Sequence, residues 1–469
     1  MKRISLKHLC TGIFLPLLMP LSLLSGEETS RSLILGQSIL DESAYRFLEY
    51  ISDEFGPRMV GTEGHAATMD YLEKELQSLG LETERQEFTY PGWVRGESRV
   101  ELLAPHRKVL RSVDLAYVGG FGPVSGEVAY VEAKDIEELD TEAIRDRILL
   151  VRQNVSYRLP QMVRLQEEHG VKGLLYINRV NGGQLLARTA DHDGRAAPFP
   201  VFSITQEEGL LMQRLLEDGK VVRVELETRS SAKQFTGANL IARLPGQGSE
   251  RVMLGAHFDS WDLGQGSIDN GLGVAQVYAV AKLLKELGTN NQHTVEFVWF
   301  DAEEMGLWGS RHYAEAGDLS DLRVMINLDM VGRPIAINAM GFDGLVPLLE
   351  SYVDSLGAWE FSKNVANKPW LGSDHHPFIM QGVPAITFNA PMDHDDVRYY
   401  HDFGDSMDKV DRTMLGEACG LIALLVYDLA NTEERVPHLD DEAVAELFRK
   451  ADLEERLRKA DKWPFGEAE

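Results

Sequence analysis

The chain has 469 residues, 44% hydrophobic and 26% charged, which excludes a disordered or fibrous protein and suggests roughly two to three domains. Lys and Arg number 47 against 74 Asp and Glu, for a formal net charge of −27. So acidic a chain argues against nucleic acid as a partner and disfavours docking on an anionic membrane.

The first residues read as a targeting segment. Lys2, Arg3 and Lys7 form a basic end, an apolar run follows from Cys10 through Leu24, and Ser25 and Gly26 precede Glu27 and Glu28. That order predicts a secretory signal peptide over residues 1–26, hence a secreted or periplasmic protein. A membrane anchor is the competing reading; the short run with Pro16 and Pro20 disfavours it. Removal of the signal leaves Cys419 as the remaining cysteine, so no internal disulfide forms. No later segment reads as long and apolar enough to cross a bilayer.

Residues 40–80 read as helical, with Leu72, Leu76 and Leu79 recurring and Gly80 as a stop signal. A β-rich stretch follows from about 97 to 232, carrying strand candidates GEVAYV, RILLVRQ, GLLYIN, FPVFSI and VVRVELET and helical pieces near 160–169 and 206–218. From about 235 strands and helices alternate: NLIARL, RVMLGAH, a helix at 271–287, TVEFVWF, a helix near 305–315, VMINLD, then AITFNA. Such alternation predicts an α/β domain with a largely parallel, mixed central sheet and helices on both faces. The leading helices lack a sheet of their own, so the simplest organisation has residues 27–100 and 233–436 forming one domain, with 101–232 inserted as a β-rich second one. The charged tail, 437–469, spaces Val444, Leu447, Phe448, Leu453 and Leu457 for one apolar stripe and reads as a docking or dimer-contact helix, or else a solvated extension.

Open α/β sheets bind ligands beyond the carboxyl ends of their strands. There the predicted strands deliver His257 and Asp259, then Asp301, Glu303 and Glu304, then Asp329, while Asp269 precedes an apolar helix and His401 falls in an irregular segment. Singly, each has an ordinary explanation: Asp269 as a helix cap, Glu303 and Glu304 as a solvated turn, His257 as a buried histidine. Together they crowd negative charge at one sheet edge, which is costly unless a cation neutralises it. Oxygen and nitrogen donors without thiolate suit zinc or a similar divalent ion at a catalytic site. Five ligands sharing one carboxylate would hold two ions about 3.5–4 Å apart.

Other chemistries lack their residues. The chain has no G-x-S-x-G, H-E-x-x-H or Walker spacing, and Cys419 lies in an apolar run that reads as core. The acidic cluster Asp393, His394, Asp395 and Asp396 reads as a solvated loop or a lip of the site rather than a calcium loop.

The segments GAHFDSWDLGQGSIDNGLGVA, FDAEEMGLWGS, INLDM, GSDHHPF and YYHDFGDSMDKVD together resemble the co-catalytic di-zinc exopeptidases, nearest to their plasma glutamate carboxypeptidase (carboxypeptidase Q) branch, for which Trp261 looks specific. GPRMVGTEGHAATMDYLEKELQSLGLE is similar to that group's leading helix, and the resemblance spans roughly residues 40–435. It implies two zinc ions bridged by Asp269, one completed by His257 and Asp329 and the other by Glu304 and His401. It also implies Glu303 as general base, Asp259 as the residue orienting His257, and Tyr400 as a donor to the oxyanion; Ser373, Asp374 and His375 would lie near the pocket. The insert would be a protease-associated domain. Asn270 stands where many relatives carry a second Asp, which implies altered hydrogen bonding rather than lost zinc. HDFGD replaces a Thr-containing stretch and keeps Asp405.

The expected activity is hydrolysis of small unblocked peptides, dipeptides above all, with a metal-bridging hydroxide and Glu303 moving the proton. Whether a free amino or carboxyl end is read stays open. Alternatives are a glutaminyl cyclase-like transferase, disfavoured because His257 and Asp329 complete a second metal site, and a non-catalytic binding protein, disfavoured because no ligand is lost. A small peptide is the expected partner, with no nucleic acid and no stable membrane span after processing. The resemblance and the tail helix allow a homodimer.

Overall fold

Two eight-stranded mixed sheets organise the chain, whose computed structural model describes residues 26–357 and 365–466. Apart from Gly26, the expected signal segment lies outside the described residues. In order across the first sheet the strands are Glu82–Val94, Ser231–Leu244, Thr294–Phe300, Arg251–His257, Leu322–Asn327, Ala385–Asn389, Ala336–Asn338 and Val365–Ala366. The strands around Arg251–His257 run parallel to one another, and antiparallel pairs flank them on both sides.

Side chains alternate across this sheet with the period of two that pleated backbone imposes. Val252, Leu254 and Ala256 face one core with Val295, Phe297 and Trp299. Met253 faces the other with Val298, Phe300 and Met325. The helices Ser43–Tyr50, Glu63–Ser78, Leu272–Leu287 and Arg412–Asn431 contribute to the first core, and Trp308–Ala316 and His375–Met380 to the second. Both faces are therefore apolar, which is why the central strands read as continuous hydrophobic runs.

The helix Arg412–Asn431 corrects one expectation. It has 20 residues, and an 18-residue window within it has a mean hydropathy of 1.5, long and apolar enough to cross a membrane by length and composition. Its apolarity has a different source: the helix is covered on several sides, by Gly26–Leu40, Leu272–Leu287 and the sheet, and nearly all of it from Leu415 to Ala430 is buried. Cys419 lies within it, also buried.

The strand Glu82–Val94 was not legible in the sequence. As an edge strand it presents Glu82, Glu84, Arg85 and Glu87 outward, and polar residues with Pro91 mask its pattern. It pairs along its full length with Ser231–Leu244, ending at Val94 opposite Ser231. The leading helices therefore do come with a strand of the sheet, and the chain leaves and re-enters that sheet at paired residues.

Between those two points lies the second sheet, in the order Lys108–Leu110, Ser98–Ala104, Arg223–Thr228, Phe121–Val131, Ile148–Val151, Gly173–Ile177, Val201–Ile204 and Ser112–Asp114. The helices Leu159–His169 and Gln206–Glu217 cover its two faces. The C-terminal helices Asp441–Lys450 and Glu454–Lys459 bury Val444, Leu447, Phe448 and Leu457 in the first sheet's core, so the tail docks on its own chain.

Candidate metal centre

The chain passes from Arg251–His257 to the neighbouring strand on one side, Thr294–Phe300, and then to the neighbour on the other, Leu322–Asn327. Successive connections thus diverge at the carboxyl end of Arg251–His257, the place where open sheets leave a crevice. His257 closes this strand, Glu303 and Glu304 follow the next, and Asp329 follows the third. Asp269 lies on the loop before Leu272–Leu287, and His401 on the loop after Ala385–Asn389.

The structure brings these residues together in three overlapping donor groups: His257, Asp269 and Asp329; His257, Glu303 and Glu304; and Asp269, Glu304 and His401. Asp269 turns one oxygen to each histidine, with Oδ1 3.2 Å from His257 Nε2 and Oδ2 3.0 Å from His401 Nε2. Asp329 Oδ1 is 3.6 Å from His257 Nε2, and Glu304 Oε2 is 3.2 Å from His401 Nε2. Glu304 Oε1 is buried without a hydrogen-bond partner, and His401 Nε2, though close to both carboxylates, meets neither at a hydrogen-bonding angle.

Charge within this cluster is poorly balanced. Burial works against protonation of His257, but Glu303, Asp269 and Asp329 outweigh it and raise its pKa well above the usual value. Burial opposes protonation of His401 too, yet Glu304 and Asp269 lift it to about 10. Burial pushes Glu303 well above the normal carboxylate range and Asp259 to about 7. Acids forced towards neutrality beside histidines forced towards charge make a site that divalent cations relieve. The oxygen and nitrogen donors, the shared carboxylate and the orphaned buried atoms all fit such ions.

Supporting contacts fix the donors. His257 Nδ1 lies 3.1 Å from the backbone oxygen of Asp259 and 3.8 Å from its carboxylate. That carboxylate instead accepts the backbone N–H groups of Glu303 at 2.9 Å and Glu304 at 3.2 Å, so it holds the acidic turn while its backbone faces the histidine. Asp405, pushed to about 7 by burial, accepts the N–H groups of Ile268 and Asp269. Asn270 donates to Leu328 O and accepts from Gly273 N and Met330 N, joining the helix start to the Asp329 turn. It is this amide, and not Asp269, that receives a helix-start N–H. His401 Nδ1 lies 2.8 Å from Ala187 O, a contact contributed by the second-sheet segment.

Arg58 was missed. It is fully buried, and its guanidinium donates to the carbonyls of Phe258, Gln265 and Gly266, stapling the loop between His257 and Asp269. The available signal was an arginine in the Pro-Arg-Met-Val run, where an apolar neighbourhood makes an unpaired cation expensive. Ala187 acts through its backbone, which leaves no side-chain signal.

The remaining candidates fall in different places. Tyr400 stacks on His401 with ring centroids 3.6 Å apart and is 43% exposed. Trp261 is buried, its ring 5.7 Å from that of His401. Asp301 lies apart from the donor groups and pairs with His65 at 2.8 Å. Ser373, Asp374 and His375 are fully buried; Asn327 donates to Ser373 Oγ, and burial pushes Asp374 to about 7. Asp393–Asp396 lies on an exposed stretch with a short helix, His394–Val397.

Residues 239–426 match the model of Peptidase family M28. The chain is 25% identical over 414 residues to carboxypeptidase Q of Mus musculus, a match covering 84% of this chain and 87% of that protein. It is similar to the crystal structure of a Peptidase M28 precursor from Shewanella amazonensis SB2B, with a TM-score of 0.77 at 24% identity over 88% of this chain and 99% of that one. It also aligns with BSAP, a zinc aminopeptidase from Bacillus subtilis, with a TM-score of 0.67 at 20% identity over 85% and 98% of the two chains.

Proposed function

We propose, from the match of residues 239–426 to the model of Peptidase family M28, that this chain is an exported di-zinc metallo-exopeptidase of small unblocked peptides, dipeptides among them. The observation that carries the reading is the divided carboxylate of Asp269, one oxygen towards each of two histidines. On this reading Asp269 serves both ions, His257 and Asp329 complete one set, and Glu304 and His401 the other. The donor chemistry suits zinc. When bound, the ions supply Lewis acidity, easing deprotonation of water near neutral pH and polarising a carbonyl oxygen.

The chain's own groups do the rest. Glu303, within the donor group of His257, takes the proton of the attacking water and returns it to the leaving amine. Tyr400 donates a hydrogen bond to the carbonyl oxygen as negative charge builds there, a kind of contact typically worth about 3–4 kcal/mol. Asp259 and Asp405 hold the backbone from which Glu303, Glu304 and Asp269 project. The carbonyl of His192 meets the turn at Gly306, where a Cβ would lie 2.2 Å from it. With Ala187 against His401, second-sheet backbone approaches the donor-bearing segments at two points, which supports a preference for short peptides. The basic and apolar leading segment supports export.

Hydrolysis of dipeptides by the zinc-loaded chain tests the reading. Cleavage abolished by a chelator and restored by zinc is expected. Cleavage indifferent to the chelator, or none in the presence of zinc, overturns it. Blocking each peptide end in turn identifies which end is read.

A further inference from the structure

The two histidines of the centre are held in different ways. His257 sits at a strand end, and its Nδ1 is satisfied by the carbonyl of Asp259, two residues along the same segment. His401 depends on the second sheet. Its Nδ1 donates to the carbonyl of Ala187 at 2.8 Å, and its own carbonyl accepts the N–H of Ala187 at 3.0 Å. Two further contacts extend this pairing. The carboxylate of Asp402 accepts the N–H of Leu185, and Arg398 Nη2 donates to the backbone and side-chain oxygens of Asn181 at 2.8 and 2.9 Å. Residues 181–187 thus lie clasped along residues 398–402.

The clasp has consequences for the imidazole. A carbonyl can only accept, so Ala187 fixes the proton on Nδ1 and leaves Nε2 as a bare donor atom facing Asp269 and Glu304. His401 has a φ of +55°, a left-handed conformation that non-glycine residues hold only when their surroundings over-determine it. The two-bond pairing with Ala187 supplies that constraint. Among the described residues, no such backbone pairing joins His257, Asp269 or Asp329 themselves to the second sheet: Asp329 follows a strand of the first sheet, Asp269 is held by Asp405, and the loop between His257 and Asp269 meets the second sheet through side chains, with Arg95 joining Asp262 to Asp114.

We propose that the second-sheet segment 181–187 is part of the metal centre, acting as a positioning element for one of its two ions. Resting on the two-ion reading above, the clasp sets the affinity of the Asp269, Glu304 and His401 set and leaves that of the His257, Asp269 and Asp329 set nearly unchanged. Asp402 and Arg398 are its positioning residues, and displacement of the segment releases the second ion before the first.

Zinc titration of the metal-free full chain, followed by calorimetry, tests this. The wild type binds two equivalents. Asp402→Ala, which removes the acceptor for Leu185, binds the first as wild type and the second about 10–100-fold more weakly. Asp402→Asn keeps an acceptor oxygen and restores the second affinity to within about threefold, a rescue that a merely bulk structural effect would not produce. Arg398→Ala, further from the ligand, weakens the second step in the same direction and serves if Asp402→Ala does not fold. Two unchanged affinities in both alanine variants, or equal weakening of both steps, overturn the proposal. A wild type that binds one equivalent or none overturns the two-ion reading itself.

Discussion

The carboxylate of Asp405 accepts the backbone N–H of Asp269 at 3.0 Å, so the residue that faces both histidines is anchored by another acid. Its second oxygen takes the N–H of Ile268 at 2.6 Å. Asp405→Ala would leave two buried N–H groups without acceptors, at about 1–3 kcal/mol each. The metal-free variant is expected to unfold at lower urea than the wild type and to bind zinc about 10–100-fold more weakly. Wild-type zinc affinity in the variant contradicts the anchoring role.

Glu303 and Glu304 are neighbours to which the proposed function gives different tasks. Glu303→Gln keeps the size and hydrogen-bonding reach of the side chain but cannot take a proton. It is expected to retain bound zinc and lose about 10²–10⁴-fold in kcat. Elemental analysis and steady-state rates on the same preparation check this, and retained turnover would falsify the assignment of Glu303 as base.

Arg58 stabilises the loop by charge as well as by hydrogen bonds. Burial lowers its pKa to about 10, against the pull of Asp405, Asp259, Asp269 and Glu304, so it remains a cation at neutral pH. Arg58→Met removes that cation and leaves three carbonyls without their donor. A loss of about 3 kcal/mol or more in unfolding free energy is expected, as when a buried ion pair loses one partner. A change within about 0.5 kcal/mol, the range of ordinary surface substitutions, contradicts it.

The pair of His65 and Asp301 makes stability depend on pH. Burial lowers the pKa of His65, but Asp301 at 2.8 Å more than compensates, and the net shift is upward. A pKa raised on folding means that the folded state holds the proton more tightly. The resulting stability is full below the unfolded value of about 6.5 and fades as pH rises through the folded value. The difference in unfolding free energy between wild type and His65→Gln is therefore expected to be larger near pH 6 than near pH 9. A difference that is flat, or that grows with pH, contradicts the pairing.

What the sequence disclosed follows from which groups carry a local pattern. The central strands were legible because burial on both faces makes them continuous apolar runs, as in Arg251–His257 and Thr294–Phe300. The long edge strand Glu82–Val94 was not, because its exposed side chains are polar and its partner lies far along the chain. The helix Arg412–Asn431 is so deeply packed that its composition passes for a membrane span. At the site, the strand-end acids and histidines were all visible, and the structure gathers His257, Asp269, Glu303, Glu304, Asp329 and His401 within three overlapping groups. Asp301 shares their strand-end position but turns to His65. The backbone contacts of Asp259 and Ala187 could not be read, since a carbonyl is present at every residue and only folding selects one.

The central claim is a two-ion site built on the divided carboxylate of Asp269. Zinc per chain, measured by elemental analysis on the zinc-loaded and dialysed protein, tests it most directly. The account predicts close to two ions for the wild type and less than one for Asp269→Ala. One ion or none in the wild type, or two retained by Asp269→Ala, would contradict it.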